Sequence, residues 1–456
     1  MNVIVKFGGT SVADAPAMNR VIAIAKKQLG AAPEDQPPVV VVSAMSQVTD
    51  RLVETGRLAG IGQGEEAVKL LGDLLNRHLA VASGLMKGDR LGVLSSQLRE
   101  DFASISDTVR AMAATGEVSL REYDALVATG ELASSRIVAG ALAAQDVPAV
   151  WVDARQVLVT DGEHNPAVPD VAATCERTRR MVGQIRAEGQ MAVMGGFIGA
   201  TASGVTTTLG RGGSDYSAAI FGSCLDVEEI QIWTDVDGML TADPRIVETP
   251  RLVPQLSFAE ASELAYFGAN VLHPSTILPA VAKNIPVRIL NSRRPEVTGT
   301  LITAQHRVHE GITALACKRG VTIVSITSSR MLMAHGFLRR LFEVFERCKM
   351  PVDVVTTSEV SVSVTIDNPR RLGDVVDDLS TFAEVGLESD MAIVCVVGEN
   401  LRTDMTLFGR AVTALDQLPL RLVSQAASRR NITFVMRDAD VAEAMSRLHT
   451  VFFGSG

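Results

Sequence analysis

The first 300 residues alternate short runs rich in valine and isoleucine with stretches of helical periodicity, and few folds accept that pattern. Asn2–Phe7, Pro38–Val42, Val147–Val152, Met191–Ile198, Glu229–Thr234 and Pro286–Leu290 each have the length of one strand and are mostly apolar. Strands buried on both faces belong to largely parallel sheets covered by helices. Between the first two, Met18, Val21, Ile22 and Ala25 recur at the spacing of one helix face. The pattern therefore predicts an α/β sandwich with a mainly parallel sheet over residues 1–300. Residues 60–125 carry no strand signal and read as a helical excursion, through Glu65–Val81 and Leu94–Ala114.

Past Gly299 the order changes to strand, helix, strand, strand, helix, and then repeats. Ile323–Ser329 is echoed by Ile393–Glu399 about 70 positions later. An amphipathic helix is expected after each, then strands opened by Met350–Asp353 and Leu418–Arg421, then Ser361–Ile366 and Asn431–Met436. That order predicts two ferredoxin-like βαββαβ modules, over 301–390 and 391–456. Chance similarity of strand–helix units is the alternative.

Composition removes several function classes. Net charge is −9, and the longest basic run, RTRR at 177–180, is too short to track a phosphate backbone, so no nucleic-acid partner is expected. The seven histidines form no ligand cluster and the five cysteines, Cys175, Cys224, Cys317, Cys348 and Cys395, no CxxC pair. No protein-built metal site is expected, and the thiols read as free in a reducing compartment. The N-terminus lacks a signal-peptide pattern, and no run of about 18 apolar residues stands out. A soluble cytoplasmic chain without membrane attachment is expected.

Three features carry chemistry. Lys6-Phe7-Gly8-Gly9-Thr10-Ser11 sets an ammonium and glycine backbone amides where a buried strand enters a helix. Such a turn suits an anion, although the Walker spacing is absent. A tight turn with a surface lysine is the alternative. Thr206–Asp215 (TTTLGRGGSD) packs hydroxyls, three glycines, Arg211 and Asp215 into ten positions. Arg211 is fit to fork a carboxylate, and Asp215 to organise the lysine or a metal–nucleotide. A glycine-rich surface loop would not need either. Trp233–Gly238, followed by Asp243-Pro244-Arg245, closes a strand with a polar turn, where open α/β sheets bind ligands; an ordinary turn reads equally well.

These segments resemble one family. KFGGTSV at 6–12, VVSAMSQVTD at 41–50, Gly130-Glu131, TTTLGRGGSDYSA at 206–218, WTDVDG at 233–238, ADPR at 242–245 and FGANVLHP at 267–274 follow the motif order of aspartokinases. Residues 331–367 resemble the first ACT module of the lysine-sensitive members. The resemblance implies an amino-acid-kinase fold followed by two ACT modules, and ATP-dependent phosphorylation of the aspartate side-chain carboxylate. It implies Lys6 and Asp215 as catalytic residues. Ser43, Thr49, Glu131, Phe197, Arg211 and Ser214 would hold the substrate, with Arg211 on the α-carboxylate and Glu131 on the α-ammonium. Gly8, Gly9, Ser11, Thr234, Asp235 and Arg245 would line the nucleotide site, with Mg²⁺ carried by ATP.

By the same resemblance a lysine effector would meet Met331, Gly336, Phe337, Leu338, Asp353, Thr357, Ser358 and Glu359. Asp353 and Glu359 would take its ammonium groups. Feedback inhibition by lysine and a homodimer or dimer of dimers through the ACT modules are implied. The product would feed lysine, threonine and methionine synthesis, with no fused homoserine dehydrogenase. The chain departs from the family at Gln47, where glycine is common, at Leu240, where some have tyrosine, and at Asn270, where lysine is frequent. His273 reads as a structural hydrogen-bonder beside Pro274. Rival readings are another amino-acid or carbamate kinase, which Arg211, Glu131 and the tail disfavour, and an inactive amino-acid sensor, which the intact Lys6 and Asp215 disfavour.

Overall fold

The computed structural model describes residues 1–268, 272, 274–304, 311–331, 335–425 and 429–454. Asn270 and His273, on which expectations were placed, lie outside the described residues. The chain divides into two compact units. The first holds Met1–Met239, Pro254–Phe258 and Val271–Gln305; the second holds Leu240–Val253, Ala259–Asn270 and His306–Gly456.

In the first unit the strands are β1 (Val3–Phe7), β2 (Val39–Val42), β3 (Ala149–Val152), β4 (Val159–Thr160), β5 (Met191–Gly195), β6 (Ile198–Thr201), β7 (Thr206–Thr208), β8 (Glu229–Thr234), β9 (Gln255–Ser257), β10 (Val287–Asn291) and β11 (Thr300–Thr303). Its helices include α1 (Ala15–Ala31), α2 (Val48–Gly60), α3 (Gly64–Leu85), α4 (Gly88–Thr115), α5 (Leu120–Ala144), α6 (Val171–Ala187) and α7 (Gly213–Cys224). Eight strands form one sheet in the order β3-β5-β2-β1-β8-β10-β11-β9, parallel from β3 through β10. β1, β2 and β5 are buried along their full length, as their unbroken apolar runs require. Strand order runs outward from β1 in both directions, so the crevice of an open α/β sheet falls at the carboxyl end of β1. A separate three-stranded sheet, β4-β6-β7, was not expected; the Met191–Ile198 run breaks at Gly195, and β6 leaves the main sheet.

The excursion is α2 to α4, whose apolar faces share the core with α1, α5 and β1. Helix α5 opens with a full capping box: Ser119 Oγ accepts from Glu122 N, and the Glu122 carboxylate accepts from Ser119 N. Its length and mean hydropathy of 1.2 would suit a membrane span, yet 83% of that window is buried in the protein, and it carries Asp124, Glu131 and Arg136.

Two expectations are corrected here. Cys175 and Cys224 form a disulfide, with Cα atoms 4.7 Å apart where α6 packs on the C-terminal end of α7. Forty-nine residues of separation hide that pairing from spacing arguments. The boundary expected near residue 300 is also not a single cut, because residues 240–253 and 259–270 belong to the second unit. There, Ala242 and Val247 join the core of that unit, Thr241 O accepts from Leu315 N at 2.8 Å, and Thr241 Oγ1 meets His449 Nε2 at 2.9 Å.

The second unit begins its helices with α8 (Phe258–Tyr266), after which α9 (Leu278–Ala282) returns to the first unit. Strands β12 (Gly311–Thr327), β13 (Val355–Thr357), β14 (Ser361–Ile366), β15 (Glu384–Glu399), β16 (Leu422–Gln425) and β17 (Asn431–Arg437) form one six-stranded sheet, ordered β13-β14-β12-β15-β17-β16. Helices α10 (Phe337–Arg347), α11 (Leu372–Ser380), α12 (Met405–Ala414) and α13 (Val441–Phe453) complete it. The later half of β12 pairs with β14 and with Glu384–Glu388, closing the first βαββαβ set. The second set lacks a strand after α13, and Gly311–Arg319 supplies it by pairing with Ala392–Glu399. The first module is thus inserted within the second, instead of preceding it with a cut at 390. The long strands β12 and β15 run through both modules.

Candidate functional site

β1 leaves the sheet at Gly8, whose N–H donates to Trp233 O at 3.0 Å, so β1 and β8 stay in register to their ends. Lys6 lies two residues before that exit, and its ammonium pairs with Asp215 Oδ1 at 2.6 Å, both side chains largely buried. Asp215 stands in the first turn of α7, which begins after Gly212 at φ 74°, a left-handed conformation that suits glycine. Gly213 has no room for a side chain: a Cβ there would lie 2.7 Å from the Phe197 ring. Phe197 itself takes φ 67°, and its N–H donates to Ser217 Oγ at 2.9 Å. The glycines therefore let the α7 N-terminus close on the β5 exit.

Glu131 comes from the middle of α5 and is 4% exposed. One carboxylate oxygen accepts from Ala44 N at 3.2 Å, while the other has no hydrogen-bond partner among the described residues. Burial pushes its pKa up to about 8, against the opposing pull of the Ala44 amide and the Lys6 charge. Ser134, one helical turn on, donates to Ser43 O at 2.7 Å and so fastens α5 to the β2 exit.

These groups share one open cavity of about 630 Å³. Of the expected residues, Lys6, Gly9, Ser43, Thr49, Glu131, Phe197, Arg211, Ser214 and Asp215 line it. The side chain of Arg211 is exposed. The cavity thus brings two cations, Lys6 and Arg211, and three carboxylates, Asp50, Glu131 and Asp215, around one pocket. Gly9–Val12 forms one 3-10 turn, and Ser11 Oγ meets Ser292 Oγ at 2.7 Å and Trp233 O at 3.3 Å. Gly8, Ser11 and Thr234 thereby gather at the neighbouring ends of β1, β8 and β10, where Ser292 N donates to Thr234 O at 2.8 Å. Thr234 Oγ1 donates to Asp235 Oδ1 at 3.2 Å. Arg245 lies in the second unit, mostly exposed and bidentate on its own Asp243. Its carboxylate partner lies two residues away in the same ADPR motif.

Sequence reasoning missed Tyr123, Val127 and Asn165 as wall residues. Tyr123 and Val127 precede Glu131 by two turns and one turn of α5, so helical spacing was the signal available. Gln47 sits at φ 66°, a left-handed conformation that glycine adopts without strain.

In the second unit, Gly336 takes φ 84° just before α10, and Phe337 packs edge-on against Phe382. Met331 and Phe337 pack against the core of the first module, while Leu338 and Glu359 are exposed. Ser358 Oγ meets Ser361 Oγ at 2.7 Å in the turn after Thr357. Asp353 already holds an ammonium of its own chain: Lys318 Nζ lies 3.0 Å from its Oδ1, and Tyr266 donates to the same oxygen at 2.8 Å. Its other oxygen is buried without a hydrogen-bond partner among the described residues.

Comparison with known proteins agrees with this architecture. Residues 1–291 match the amino acid kinase family, and residues 394–452 match an ACT domain. The chain is 35% identical to lysine-sensitive aspartokinase 3 of Escherichia coli K12, over 99% of both chains. It is 36% identical to chloroplastic aspartokinase 3 of Arabidopsis thaliana, over 99% of this chain and 81% of that one. Among solved structures, E. coli aspartokinase III in complex with aspartate and ADP (R-state) superposes with a TM-score of 0.85 at 34% identity, covering 99% of this chain and 100% of that one. The same enzyme in complex with lysine and aspartate (T-state) gives 0.83 at 34% identity, covering 99% of each chain.

Proposed function

The chain belongs to the aspartokinases, within the amino acid kinase family, and from that membership we propose the reaction and the part each residue plays in it. An oxygen of the aspartate side-chain carboxylate attacks the γ-phosphorus of ATP. The bond from that phosphorus to the β,γ-bridging oxygen breaks, and ADP leaves with the electron pair. The attacking carboxylate is already ionised at neutral pH, so no general base is required. The task left to the protein is to position two anions and offset their charge.

Lys6 neutralises charge on the transferring phosphoryl group, and Asp215 holds its ammonium in place. Arg211 forks the α-carboxylate, and Glu131 receives the α-ammonium. Ser43, Thr49, Ser214 and Phe197 frame the substrate. Gly8, Gly9, Ser11, Thr234 and Asp235 accommodate the nucleotide, whose Mg²⁺ enters with it as part of the substrate. Arg245 joins that set only by releasing Asp243. The observation that carries this reading is the convergence of the Lys6–Asp215 pair, Arg211 and Glu131 on one cavity. The ADP- and aspartate-bound relative supports the choice of both substrates.

A hydroxamate assay with aspartate, glutamate and N-acetylglutamate side by side tests the assignment. Aspartate alone is expected to give product, and a preference for either rival would overturn it. Lys6→Ala is expected to lower turnover at least about 100-fold with the circular-dichroism spectrum unchanged; a near-native rate would remove Lys6 from the mechanism.

The second unit is the sensor in this reading, and lysine is its inhibitory effector, as the lysine-bound relative supports. Met331, Gly336, Phe337, Leu338, Thr357 and Ser358 surround the ligand in this assignment. Glu359 offers an exposed carboxylate, and the effector's ammonium competes with Lys318 for Asp353. Pairing of the ACT modules across two copies makes the working form a homodimer or a dimer of dimers. The product enters amino-acid biosynthesis in the cytoplasm.

A further inference from the structure

Asp124 is the most heavily engaged carboxylate near the cavity, and none of the roles above uses it. It is fully buried on α5, seven residues before Glu131, so the two carboxylates lie two turns apart along one side of the helix. Its Oδ1 accepts from Thr208 Oγ1 at 2.6 Å, and its Oδ2 accepts from Thr208 N at 3.3 Å. Thr208 ends β7, immediately before the run that carries Arg211. His164 Nδ1 lies 2.7 Å from Asp124 Oδ2. One buried carboxylate therefore ties together the helix of Glu131, the approach to Arg211, and the loop between β4 and α6.

That loop is fastened at its stem as well. Asp161 N donates to Val168 O at 3.0 Å, and Asp161 Oδ1 accepts from Val168 N at 3.0 Å. Ala167 N donates to Thr208 O at 2.8 Å. With the stem closed and His164 held at the tip, the next residue, Asn165, is turned onto the cavity wall beside Gly210 and Arg211. It takes φ 44°, a left-handed conformation that asparagine tolerates better than most residues. The side chain of Asn165 is free of hydrogen bonds among the described residues.

We propose that Asn165 is a further substrate-binding residue that contacts the α-amino-acid end of aspartate, and that His164, latched on Asp124, is its positioning residue. An amide has both a donor and an acceptor to offer a zwitterion already gripped by Arg211 and Glu131. The inference rests on the aspartate-kinase reading above.

Two measurements test it on the full-length chain. Asn165→Ala is expected to raise the aspartate KM about threefold to tenfold, the worth of one ordinary hydrogen bond. The nucleotide KM should stay put, and kcat should change less than the aspartate KM does. Calorimetric titration with aspartate alone should show the same weakening. His164→Ala should shift the aspartate KM in the same direction. His164→Asn should restore it, because its amide nitrogen falls where Nδ1 donates to Asp124; His164→Gln, with its nitrogen one bond further out, should not. Unaltered aspartate binding in Asn165→Ala, or equal defects in His164→Ala and His164→Asn, overturns the proposal. A wild-type chain that binds and phosphorylates aspartate while Asn165→Ala matches it sinks this inference alone. A wild-type chain that binds no aspartate sinks the functional reading with it.

Discussion

Glu131 shows how one residue's surroundings set the pH response of a site. Its burial holds the proton on up to about pH 8, whereas the unfolded chain releases it near 4.5. Between those values the unfolded state binds fewer protons than the folded one, so this group subtracts stability progressively as pH rises through that window. The same shift bears on substrate. An α-ammonium gains its counter-charge only when Glu131 is ionised, so binding of aspartate releases a proton below about pH 8. Aspartate affinity is expected to rise from pH 6.5 to pH 8.5, and Glu131→Gln to lose that slope along with most of the affinity. Calorimetry in buffers of different ionisation enthalpy measures the released proton; a flat affinity profile would refute the assignment. Gln47 makes a smaller point at this scale. A non-glycine residue at φ 66° costs on the order of 1 kcal/mol. The departure from glycine is thus a strain carried at the entrance to α2, and nothing in the structure explains why it is kept.

At the scale of elements, two helices carry the carboxylates of the site into place. α7 presents Asp215 in its first turn and α5 presents Glu131 at its middle, so the cavity is built by helix register as much as by loops. α7 is also tied at its far end, where Cys224 bonds Cys175 of α6. A cross-link spanning 49 residues restricts the unfolded chain by about 4 kcal/mol. Urea unfolding with and without reductant should show a lower midpoint under reduction, and Cys175→Ser should reproduce it. An unchanged midpoint would mean that the bond contributes nothing in solution. In the second unit, β12 and β15 each serve two modules, so a break in either strand disrupts both four-stranded halves.

For the molecule as a whole, the proposed regulation requires that lysine bind one conformation better than another. Turnover under saturating substrates is expected to fall on addition of millimolar lysine, and an unchanged steady-state rate rejects the sensor assignment. Linkage then demands the reciprocal effect: if lysine weakens aspartate binding, aspartate weakens lysine binding by the same factor. Equilibrium titration of each ligand in the presence of the other measures that factor directly.

Local chemistry explains what could be read without coordinates. Hydrophobic runs and helical periodicity reflect contacts within a few residues, so Glu229–Thr234 and Ser361–Ile366 emerge with the bounds expected, and the mainly parallel α/β character of the first part with them. The lysine, arginine and acidic residues expected at the site sit in motifs whose glycines are themselves local geometry. What depended on distant segments meeting in space stayed hidden. The Cys175–Cys224 bond, the strand that Gly311–Arg319 lends to the second module, the hold of Lys318 on Asp353 and the Asp124–His164 latch join residues far apart in the chain. No spacing rule reports such pairs, because their energies come from packing that exists only once the chain has closed on itself.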